Sequence, residues 1–215
     1  MISLVVAFSL FLADPPAQAA KEPKLRDELL ARMKEEQEAR FAAIKARAIG
    51  KKEPGKDDPK GGPGSAAWKK VEELDAANRE WLKGVIAKHG WPGKSLVGED
   101  GTHAVWLLVQ HADNDRPFQK KCLELMKEAV KAGESPGSDL AYLTDRVLVG
   151  EGKDQLYGTQ LTQKDGKLVP QPIEDAPQVD ARRKAVGLPP LAEYLELATK
   201  IMRSGGTEKP AIEKP

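Results

Sequence analysis

One cysteine, three histidines and few aromatic residues set the first limits on this 215-residue chain. A lone thiol, Cys122, forms no internal disulfide, so the fold rests on its core even in an oxidising compartment. His89, His103 and His111 stand in no His-x-x-x-His frame, and no Cys-x-x-Cys exists, so the common metal frames are absent. No metal or other cofactor is implied; the one arrangement left is His111 with Asp113 and a further carboxylate, since divalent ions accept mixed nitrogen and oxygen ligands. Gly50 to Lys56 and Gly133 to Gly137 match Gly-x-x-x-x-Gly-Lys and Gly-x-Ser-x-Gly only as strings: Asp57 stands where a phosphate loop needs Ser or Thr, and neither string follows an expected strand, so neither a phosphate loop nor a nucleophile elbow is implied. An excess of charge of one sign is also missing: Lys+Arg number 34 against Asp+Glu 33. No overall field draws in nucleic acid or an anionic membrane, and nucleic acid is not an expected partner.

Ile2 to Ala13 is apolar but for Ser3 and Ser9, shorter than the roughly 20 residues that span a bilayer. Ala17-Gln18-Ala19 follows and fits the small-x-small rule for signal peptidase, although the segment before it holds no Lys or Arg. Residues 1–19 therefore read as a signal peptide. The chain is expected to be exported, periplasmic or extracellular, with no stable membrane insertion after cleavage.

Between Pro23 and Gly50, Leu25, Leu29, Met33, Phe41, Ile44 and Ala48 recur at helical spacing, predicting an amphipathic N-terminal helix over 20–49. Residues 50–64 are Gly, Pro, Lys, Asp and one Glu without a large apolar side chain, a flexible linker by composition. A helical domain is expected over 65–203, and residues 204–215 form a disordered tail. Within the domain, Trp68, Val71, Leu74, Trp81, Val85 and Ile86 mark a second helix. Gly93 to Thr102 reads as a loop, with Asp100 or Thr102 capping a third helix. Asp115 and Pro117 open a fourth, whose apolar face carries Phe118, Cys122, Leu125, Met126 and Ala129, and Ser138 caps a fifth. Lys164-Asp165-Gly166 between extended runs signals a hairpin over 156–169. Short helices at Val179 to Val186 and Pro190 to Met202 complete the chain. The expected fold is mainly α: a single-domain bundle of five to six helices with one small β-hairpin. Its expected core is Trp81, Trp106, Leu107, Phe118, Cys122, Leu125, Leu143, Val147 and Leu195.

Three places carry polar residues into apolar surroundings. Val105 to Val109 is a large apolar run that stops at Gln110, His111, Ala112 and Asp113. A buried polar group left unpaired costs roughly 1–3 kcal/mol, so these residues must be paired or used. Leu140 to Val149 encloses Asp145 and Arg146, whose charges persist in such a setting only when paired. Gln155-Leu156-Tyr157-Gly158-Thr159-Gln160 is the third cluster; as a strand it sets Tyr157 and Thr159 on one face, while Gly158 admits a backbone or a ligand. Asp145 placed against His111 would give a carboxylate–imidazole pair, the minimal unit of acid–base work; an interhelical salt-bridge network explains the same residues equally well.

The blocks Trp81-Leu82, Gly90-Trp91-Pro92, Trp106-Leu107 with Gln110-His111-Ala112-Asp113, Leu140 to Arg146, Gln155 to Gln160 and Val186 to Leu191 resemble a widespread bacterial family filed as a domain of unknown function. The resemblance runs from about Leu25 to Tyr194 and extends to Glu36-Gln37-Glu38-Ala39-Arg40, which makes Arg40 a candidate partner of Asp145 or Asp113. No activity comes with it; it implies that the clusters belong to one design. Two functions follow. The first is a binding module in which Gln110, His111, Asp113, Asp145, Arg146, Tyr157, Gln160 and Arg40 receive a small polar ligand or a peptide end. The second is a hydrolase or lyase with His111 as general base, Asp145 orienting it, and Arg146 or Tyr157 stabilising negative charge. For export, mass spectrometry of protein recovered from its native envelope is expected to find Ala20 as the first residue; intact Met1 in the cytosol would reject the signal peptide.

Overall fold

The computed structural model describes residues 20–50 and 66–203. The expected signal peptide, nearly all of the linker and the C-terminal tail lie outside the described residues. The architecture is mainly α and single-domain, with seven helices among the described residues, the short α6 included. They are α1 (Pro23–Gly50), α2 (Ala66–His89), α3 (Lys94–Gln110), α4 (Arg116–Lys131), α5 (Gly137–Gly150), α6 (Val179–Ala185) and α7 (Leu191–Arg203). One antiparallel hairpin, β1 (Leu161–Lys164) and β2 (Lys167–Pro170), precedes α6. None of the described helices is long and apolar enough to cross a membrane.

The apolar run of α3 places it at the centre, packed against α1, α2, α4 and α5. Val97, Ala104, Val105 and Val109 are fully buried there, alongside Leu29 of α1, Leu82 of α2, Cys122 and Met126 of α4 and Leu143 of α5. Each large aliphatic side chain withdrawn from water in this way contributes about 1.5–3 kcal/mol. Of the expected core, Trp106, Phe118, Cys122, Leu143 and Val147 are buried, whereas Trp81, Leu107 and Leu125 pack against the core half-buried. Leu195 lies outside it, because α7 packs mainly on β2 and α6 and meets the bundle through the Tyr194 ring against Tyr142 of α5.

Local chemistry accounts for two of the boundaries. Asp115 caps α4 by accepting from the Phe118 N–H at 3.1 Å, with Pro117 in the first turn. Asp165 and Gly166 both take positive φ, 50° and 76°, the mirror-image turn that matches strand twist. Two boundaries differ from expectation. Pro136, not Ser138, precedes α5, which starts at Gly137. The stretch from Lys94 is already helical and kinks at Gly98, whose φ of 77° is costly for other residues. A side chain at Gly98 would also crowd Asp100 and Arg26, which form an ion pair joining α1 to α3. Asp100 is thereby used as a brace, not as a cap.

Burial on α1 departs further from the sequence pattern. Phe41 and Ile44 are 48% and 39% exposed, while Leu29, Glu36 and Ala43 are fully buried. The inward seam is Leu29, Met33, Glu36, Arg40 and Ala43, spaced four and three, with two charged residues at its middle. On α2 the matching seam is Val71, Asp75, Asn78, Leu82 and Val85, again polar at the middle.

Candidate functional site

The polar middles of the two seams meet at the end of α3. His111 is the C-cap of that helix, its N–H donating to the Leu107 carbonyl at 3.2 Å. Its ring is thereby set against α1, where Nδ1 lies 3.0 Å from Glu36 Oε1. That approach is an ion-pair contact rather than an aligned hydrogen bond, so Nδ1 is buried without a hydrogen-bond partner. Arg40, one turn along α1, donates from Nε to Glu36 Oε1 and from Nη2 to both oxygens of Asp75 at 2.9 Å. Gln37 Nε2 donates to Glu36 Oε2 at 2.6 Å. One turn nearer the start of α1, Arg32 donates to Asn78 Oδ1 at 3.2 Å and stacks over Trp81.

The carboxylates of this cluster are pushed in opposite directions. Burial opposes ionisation of Glu36 and is the largest single influence, yet His111, Gln37 and Arg40 together outweigh it and hold the carboxyl at about 2. For Asp75, burial prevails over Arg40 and the pKa is raised. Opposed shifts in neighbouring acids are an arrangement that acid–base sites exploit.

The other expected residues are placed elsewhere. Asp145 does not reach His111: fully buried, it accepts from the backbone N–H groups of Leu156 (2.8 Å), Tyr157 (3.0 Å) and Thr159 (2.9 Å) and from the Thr159 hydroxyl (2.9 Å). Residues 155–160 are consequently not the expected strand but a loop wrapped around a carboxylate. Gly158, at φ 70°, packs under Leu191 and Ile173, where a Cβ would clash, so the glycine serves close packing within the chain. Arg182 and Arg183 donate to the carbonyls of Leu156 and Tyr157, fixing the loop from α6. The Tyr157 phenol has burial as the main cause of a raised pKa.

Asp113 and Arg146 pair with each other, Nε to Oδ1 at 3.0 Å, and Arg146 reaches Gln160 Oε1 at 3.4 Å. Burial raises and Arg146 lowers the Asp113 pKa, with lowering the net result. Gln119 closes the carbonyl end of α3, its amide donating to Val109 O and Gln110 O at 3.1 Å. Gln110 itself is buried with Oε1 unpartnered. Arg40 answers neither Asp145 nor Asp113, because α1 presents it to α2. The structure thus joins His111 and Arg40 to Glu36 and Asp75, and ties Asp113, Arg146 and Gln160 into a strap between the α3–α4 turn, α5 and the loop.

Glu36 and Asp75 had no part in the sequence-derived site. The available signal was their register: both fall in the heptad-like seam of a helix at positions that ordinarily hold apolar residues. A second imidazole–carboxylate pair was missed as well. His103 Nδ1 lies 3.0 Å from Asp139 Oδ2, and that hydrogen bond is the main reason its pKa is raised.

Two expectations follow. Asp145→Ala orphans three backbone donors and should cost at least about 3 kcal/mol in urea unfolding, with hydrogen exchange accelerated at Leu156, Tyr157 and Thr159; a loss below 1 kcal/mol would contradict the scaffold role. Glu36 has a folded pKa of about 2 against an ordinary 4.5, so its contribution is full above the ordinary value and vanishes as pH falls through 4.5 toward 2. Glu36→Gln should flatten that acid limb of the stability curve; equal slopes in both proteins would refute the assignment.

No curated protein and no solved structure matches the chain. A family model does, over residues 23–203, from the start of α1 to the end of α7, and the chain therefore belongs to a family of unknown function, DUF6624.

Proposed function

We propose that this is an exported binding domain whose site is the Glu36, Arg40, Asp75 and His111 cluster, and that the ligand enters it through a positively charged group. One observation carries the reading. Among the described residues the cluster sets two carboxylates, one of them fully buried, against a single guanidinium. It is one positive charge short unless His111 takes a proton or a cation arrives. An uncompensated buried charge costs several kcal/mol, so the site has a strong reason to acquire one. His111 Nδ1, without a hydrogen-bond partner, supports the same reading. The sequence suggested a small polar ligand or a peptide end; the charge count narrows this to a cationic one, such as the α-ammonium of a peptide. Gln110, Asp113, Asp145, Arg146, Tyr157 and Gln160 act indirectly in this reading, by holding the end of α3 and the 155–160 loop.

A second reading is supported by the opposed carboxylate shifts. In it the domain is a hydrolase or lyase, with His111 as general base, Glu36 in the orienting place first given to Asp145, and Asp75 as the acid.

The test is a titration followed on the His111 ring by NMR, with glycinamide and, separately, with small inorganic cations. At least one should move the ring resonances saturably, and Asp75→Asn should weaken that response tenfold or more. Rings indifferent to every cation would overturn the binding reading. His111→Ala should leave the melting temperature within a few degrees, whereas a loss equivalent to about 2 kcal/mol or more would make the residue a structural pillar.

A further inference from the structure

The geometry points to a divalent first-row transition-metal ion as the cation, held by Glu36, Asp75 and His111. This rests on the reading of the cluster as a cation site and names the ion class. One ligand atom from each of the three residues can be chosen so that all lie within 4.8 Å of one another. Ligands about 2.0–2.2 Å from a common ion stand roughly 3–4 Å apart, so a small closure completes the set. The pair already closest fits as it stands. His111 Nδ1 and Glu36 Oε1 are 3.0 Å apart, about the separation of two ligands at right angles on one ion. Nδ1 makes no aligned hydrogen bond that would occupy its lone pair.

The remaining valences agree. An ionised carboxylate offers about four lone-pair sites. Asp75 spends two on Arg40, and Glu36 accepts one hydrogen bond at each oxygen, so both keep capacity for an ion. Arg40 then braces both carboxylates from outside, as hydrogen-bonding partners of metal ligands commonly do. One imidazole nitrogen and two carboxylate oxygens suit Zn²⁺, Mn²⁺, Fe²⁺ or Co²⁺ and disfavour the soft Cu(I), since the only thiol, Cys122, is buried on α4. Three protein ligands leave at least one position open. With a dication bound, the charge count passes from one negative to one positive, so that position favours hydroxide or a carboxylate from a ligand.

Full-length protein stripped with EDTA and titrated calorimetrically with ZnCl₂ or MnCl₂ should take up one ion per chain. Glu36→Gln, Asp75→Asn and His111→Gln should each weaken uptake tenfold or more, while Asp139→Asn, at the other imidazole–carboxylate pair, leaves it unchanged. The Co²⁺-loaded protein should show the visible absorption of mixed nitrogen and oxygen ligation. If Glu36→Gln fails to fold by circular dichroism, the other two variants decide. No saturable uptake, or uptake indifferent to Asp75→Asn and His111→Gln, overturns the metal assignment. Glycinamide moving the His111 ring in a protein that takes up no metal overturns this inference and leaves the cation site standing; silence to both removes both.

Discussion

A carboxylate buried completely in the middle of a helix seam is the constraint from which the rest of this structure follows. Glu36 stands where α1 would ordinarily present an apolar residue to its neighbours, and its side chain has no access to water. Removing one partner of such a charge typically costs about 3–5 kcal/mol, so the helices around it must deliver cationic and donor groups to one point. Arg40 comes from the same seam a turn later, Asp75 from α2 anchors Arg40 in turn, and His111 is supplied by the end of α3. The register of α1 against two other helices is thereby tied to one polar contact. A one-residue slip would turn the charge away from these partners.

A second buried carboxylate shows what the same chemistry looks like when it is wholly spent. Asp145 accepts from three backbone N–H groups and a hydroxyl, and every donor belongs to the loop it organises. Gln155 and Arg183 complete that loop by donating to Gln160 O, Gln171 O, Tyr157 O and Pro189 O. The two acids divide the molecule: one holds the C-terminal part together through neutral donors, and the other sits in a cluster whose formal charges do not balance.

Much of the scaffold was legible in the sequence because its signals are local. Asp115 with Pro117 opens α4, and Asp165 with Gly166 turns the hairpin; both depend on residues within one turn of each other. The abrupt end of the apolar run at Gln110 and His111 also marked the end of α3 at which the proposed site lies. What was not legible depends on which neighbours arrive from elsewhere in the chain. Phe41 and Ile44 have helical spacing and so read as inward, but the seam that α2 and α3 select passes through Glu36 and Arg40. Asp145 invited pairing with His111 because both are polar residues in apolar helices. The convergence of three loop amides on one carboxylate has no signature in residue spacing, and neither does the kink that makes α3 begin before Gly98. Reading the seam by register rather than by hydrophobicity, at four-three spacing from Leu29, would have found Glu36.

The charge imbalance of the cluster requires Glu36 to be ionised inside the protein. The most direct measurement is the titration of its side-chain carboxyl carbon by ¹³C NMR in selectively labelled protein. The expected midpoint is about 2, with the carboxylate ionised throughout pH 4–7. A midpoint at or above the ordinary 4.5 would contradict it, because the cluster would then hold a neutral acid and have no positive charge to acquire.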